Sequence, residues 1–226
     1  MWRLGGESDI IADMKFQFCG KGRGFIMSYL RLKGTTYERV TQALEFAKKY
    51  NKHKPDISKV EAAYAKAGVP LIETVRKFYE EYGGVFNDCE LCEGGTTYTS
   101  ALDFTFAFVC DSDYQMKNIN NSLFTSFLVS CCSVCEFEDE DEDTTEKRIV
   151  EEFAAITENA DTYYIGEIGY YYPAEVWLNA KGEMFVIHDY EDGVIHKFAD
   201  FAEFISWELQ FHNPDVVREK ETKQYN

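Results

Sequence analysis

The sequence predicts an α+β fold, a mainly antiparallel sheet flanked by four to five helices. Three observations carry that prediction. Helix-spaced apolar stripes occupy residues 35–82. Strand-like runs follow, first with period-two alternation at 97–108 and then as short apolar segments between 163 and 197. One more helical stripe closes the pattern at 200–209. Helices, then strands, then a helix imply antiparallel pairing, because a parallel doubly wound sheet needs the two element types to alternate.

Each element has its own signal. Met14–Phe18 and Phe25–Leu32 are apolar-rich and enclose Cys19-Gly-Lys-Gly-Arg-Gly24, which reads as a hairpin turn using glycine's access to positive φ. The glycines at 20, 22 and 24 do not make a phosphate loop. A strand-like run, not a helix, follows them, and no Gly-Lys-Ser/Thr is present. Thr35 and Glu38 form a capping box for a helix with Val40, Ala43, Leu44, Ala47 and Tyr50 inward. Pro55 stops it. A second helix starts near Asp56 and ends at Gly68. A third follows Pro70, with Leu71, Val75, Phe78 and Tyr82 on one side, and Gly83-Gly84 ends it. Tyr98 to Phe108 is then the cleanest half-buried strand. Leu123–Val134 has no decisive period and fits either a buried strand or a short helix. A further helix is expected over about 145–156. Strands are expected at Tyr163–Ile168, Ala174–Leu178 and Glu183–Ile187, the last two joined by a turn at Asn179–Gly182. Val194–Lys197 is a further short strand. Asp200 and Glu203 cap the last helix, with Phe201, Phe204, Ile205 and Leu209 inward. Residues 213–226 are polar and read as a frayed tail.

The organisation expected is therefore an N-terminal extension at 1–36, one α+β domain at 37–211 and a flexible tail at 212–226. A chain of 226 residues can bury about 70% of its unfolded surface. Its 18 Phe, 15 Tyr and 3 Trp favour a real core over disorder. There is no run of about 20 apolar residues and no basic-then-apolar N-terminus. With seven cysteines, this points to a cytoplasmic protein with reduced thiols.

Charge is lopsided. Residues 1–68 carry 13 Lys/Arg against 7 Asp/Glu, a balance of +6; residues 69–226 carry 10 against 33, a balance of −23. Seven of those acids lie in one run, Glu136 to Asp143. Such a surface repels nucleic acid and anionic membrane and attracts basic proteins. The run is a solvated, self-repelling loop or a binding site for a basic partner. Its candidate contact residues are Glu138, Asp139, Glu140, Asp141, Glu142 and Asp143. Tyr170, Tyr171 and Tyr172, before Pro173, join them because tyrosine is a common interface anchor.

Other constellations are weaker. Cys89-x-x-Cys92 and Cys132-x-x-Cys135 have the paired form of a zinc site, but their separation is longer than a zinc ribbon's, and buried thiols explain them as well. No metal or cofactor is expected. His188, Asp189, Asp192 and His196 suit a divalent cation by type, yet they read as a turn with a surface histidine. No Gly-x-Ser-x-Gly elbow is present, and no catalytic residue is expected.

Four stretches carry a family resemblance. They are Lys54-Pro-Asp-Ile57 between two helices, then Gly68 with the helix ending Phe78-Tyr-Glu-Glu-Tyr-Gly-Gly84. Next comes Tyr164-Ile-Gly-Glu167 with Ala174-Glu-Val-Trp-Leu178 and Lys181-Gly-Glu-Met-Phe185. The closing helix, Phe201 to Leu209, is the fourth. Over residues 37–211 the chain resembles the SUKH superfamily of bacterial immunity proteins, most nearly its third subgroup. The resemblance implies a non-catalytic protein that binds and blocks a cognate toxin domain, often a nuclease. Partner surfaces vary within that family, so it transfers no interface. The hairpin at 14–32 and a segment of about 111–143 depart from the pattern and read as additions to it. A binding or scaffold domain of another role, and a zinc or hydrolytic protein, are the alternatives.

Overall fold

The computed structural model describes residues 16–17, 26–52, 54–94, 100–102, 105–108, 118–134, 142–169, 174–188, 191 and 193–220. The chain enters through three short strands, β1 (Phe16–Gln17), β2 (Ile26–Met27) and β3 (Tyr29–Arg31). Three helices follow, α1 (Thr36–Tyr50), α2 (Ile57–Ala67) and α3 (Glu73–Tyr82). Next come β4 (Cys89–Glu93), β5 (Ser100–Ala101) and β6 (Thr105–Phe108), then α4 (Leu123–Val134) and α5 (Glu142–Thr157). The strands β7 (Thr162–Gly169), β8 (Ala174–Asn179), β9 (Met184–His188) and β10 (His196–Phe198) lead to α6 (Phe201–Glu208) and β11 (Val216–Glu219).

Every strand pairing is antiparallel among the described residues. One sheet has the order β10-β9-β8-β7-β6, a second β3-β11-β4-β5, and β1 with β2 forms a separate hairpin. The fold is α+β, as the pattern predicts.

Local chemistry explains the boundaries. Thr35 Oγ1 accepts from the Glu38 N–H, and the Glu38 carboxylate accepts from the Thr35 N–H at 2.7 Å, so the capping box forms. Asp56 caps α2, and Gly68 ends it at φ +73°. Gly83 ends α3 for a different reason. A Cβ there would overlap the Pro55 ring and come within 2.5 Å of the Tyr79 carbonyl oxygen, so the α1–α2 junction can lie directly on the α3 terminus.

The core sits between helices and the five-stranded sheet. Tyr64, Tyr79, Phe127, Tyr164, Trp177, Phe185 and Phe204 are all fully buried. Strand β7 is held from outside its own sheet. The hydroxyl of Tyr64 donates to the Tyr164 carbonyl at 2.5 Å, and that of Tyr79 donates to the Ile165 carbonyl at 2.8 Å. Both carbonyls border the irregularity between Tyr164 and Gly166, where the ladder to β8 slips. Tyr64→Phe and Tyr79→Phe each strand a buried carbonyl, so each is expected to cost about 1–2 kcal/mol in urea unfolding. A loss near zero for both would show that the bulge stands without them.

Several expectations are corrected. Six helices, not four to five, are present among the described residues. Leu123–Val134, open between strand and helix, is α4, and Ile119, Leu123 and Phe127 of the segment 111–143 belong to the core. The single strand expected over 98–108 is two. β5 pairs with β4 in one sheet and β6 with β7 in the other. Alternation reports which face is buried, not which sheet is joined, so this switch has no period-two signature. The boundary at 36 also moves, because β3 pairs with β11 inside the domain. The tail expected at 212–226 contains β11, which lies between β3 and β4 with Val217 fully buried.

Candidate partner-binding surface

Of the acidic run, Glu142 and Asp143 lie within the described residues, and they form the first turn of α5. Glu138, Asp139, Glu140 and Asp141 lie outside them, as do Tyr170, Tyr171 and Tyr172. α5 starts three residues before the expected position. The helix then exposes Glu146, Glu151 and Glu152, with Lys147 and Arg148 as its only bases. Its inner face is apolar. Ile149 is buried, and the Phe153 ring lies 5.0 Å from Phe124 and 6.0 Å from Phe127 of α4. The far end is pinned by charge. Glu158 accepts from Lys181 at 2.7 Å and Lys197 at 2.9 Å, and these hydrogen bonds hold its carboxyl down at about 2. The acidic helix is therefore held to the body through its middle and its C-terminal end.

Cys89 and Cys92 do not converge. Cys89 and Cys92 lie three residues apart on β4, which keeps a regular register against β11, so their side chains leave opposite faces. A zinc knuckle needs both on one side. The side chain of Cys132 and all of Cys135 lie outside the described residues. Burial pushes the thiols of Cys89 and Cys92 up to about 12 and about 11, so both stay protonated at neutral pH. Neither should be alkylated in the native protein at pH 8, and both should be on unfolding, as peptide mapping by mass spectrometry would show. Native alkylation at either position would contradict this burial.

The histidine cluster differs from its sequence reading. His188 is a core residue, not a surface one, and its Nε2 lies 2.7 Å from Glu208 Oε1. His196 Nε2 pairs with Glu191. The Trp207 ring packs against both histidines, at 5.3 Å from His188 and 4.3 Å from His196. Asp189 and Asp192 lie outside the described residues. Among the described residues no group of three His, Cys, Asp or Glu side chains is arranged to hold a metal. Glu208 was missed, though it carried a signal. It falls four residues after Phe204 and three after Ile205, on the apolar stripe of α6, where a carboxylate needs a buried partner.

No helix among the described residues is long and apolar enough to cross a membrane. Comparison with family models, with curated proteins and with solved structures finds no match.

Proposed function

We propose that this chain is a cytoplasmic immunity protein that binds a basic toxin domain, such as a nuclease, and blocks it without chemistry of its own. The observation that carries this reading is the balance of −23 over residues 69–226. Nuclease clefts are cationic because they hold phosphate, so a surface of this sign steers toward them and covers them. The anchoring of α5 supports the reading, because a fixed acidic helix loses less entropy on docking than a loose one. The SUKH-like stretches support it by analogy of fold and element order, which is a weaker warrant than a site.

The test asks whether the neighbouring gene encodes a basic toxin domain, co-expresses the two, and follows capture and stopped-flow association. Association should slow steeply with added salt. Replacing the acids of Glu138–Asp143 by Asn and Gln should slow it about tenfold at low salt. Capture that is indifferent to salt, or no protection of cells from the toxin, would sink the proposal.

A further inference from the structure

We draw no further inference here: the strongest candidate, the open cavity between α4 and the β8–β9 pair lined by Ser126, Ser130, Glu175 and His188, carries nothing, because residues next to its lining in the sequence lie outside the described ones and nothing in the structure shows what fills it.

Discussion

A chain ending at His212 is expected not to fold. Removing β11 takes out the strand that joins β3 to β4, with three residues in register on one side and four on the other. Burial of Val217 alone is worth about 1.5–3 kcal/mol. Each lost ladder hydrogen bond adds about 1 kcal/mol, and β3 and β4 would be left as open edges. Against a total stability of about 5–15 kcal/mol, that loss is enough to unfold a domain. Further contacts leave with the strand. The Leu32 N–H donates to the Asp215 carbonyl, the Asp215 N–H donates to the Cys92 carbonyl, and Arg218 pairs with Glu90 at 2.7 Å. A chain ending at Lys220 keeps all of these and is the control. Near-ultraviolet circular dichroism and urea unfolding decide the matter. A cooperative transition in the shorter chain, at the urea midpoint of the control, would show that β11 is dispensable.

That β11 was read as tail has a physical explanation. Val216-Val-Arg-Glu219 is four residues long and half charged, and no alternation can establish itself in so short a run. β4 is Cys-Glu-Leu-Cys-Glu, equally short and equally mixed. Neither is defined by its own propensity. β11 has both its partners more than a hundred residues away in sequence, and β4 has β11 on one side, and distant pairing leaves no local trace. The helices differ because their ends are written locally. Thr35 with Glu38, Asp56, Gly68, and Asp200 with Glu203 all act where the sequence places them. The hairpin at Asn179–Gly182 is equally local, with the Asn179 carboxamide oxygen accepting from the Lys181 and Glu183 N–H groups.

The candidate surface was legible only in part. Net charge pointed to a basic partner, but charge has no direction in a sequence, and an open cavity lined by Thr125, Ser126, Ser130, Glu175 and His188 required α4 to be a helix. Once it is one, Ser122, Thr125, Ser126 and Ser130 fall at helical spacing, i, i+3, i+4 and i+8. The same residues alternate with no clear period if the segment is read as a strand. A hydroxyl stripe on an apolar segment was therefore visible, but it became interpretable only after the element type was known.

Replacing Glu208 by Ala should cost about 3–5 kcal/mol, because it leaves His188 in the core without its carboxylate. Both side chains are nearly inaccessible, at 2% for His188 and 7% for Glu208, and the Trp207 ring closes the site. A buried pair of this kind is not in itself a source of stability. Desolvating both groups offsets most of their attraction, so the large effect belongs to breaking the pair, not to having it. The double variant His188→Leu with Glu208→Leu should therefore recover most of what either single change loses. A double-mutant cycle in urea separates the two ideas, since residues in direct contact show a coupling of about 0.5–3 kcal/mol, and here the coupling should sit at or above the top of that range. The indole N–H NMR resonance of Trp207, whose ring packs near both histidines, gives a local reading of the same change. If Glu208→Ala lowers stability by less than about 1 kcal/mol, water reaches His188 and the site is not closed. If the double variant is as unstable as the sum of the singles, the pair is not coupled, and the packing lost at each position is the whole effect. Recovery in the double variant would show why a carboxylate occupies the apolar stripe of α6. It would then answer a histidine that β9 carries into the core.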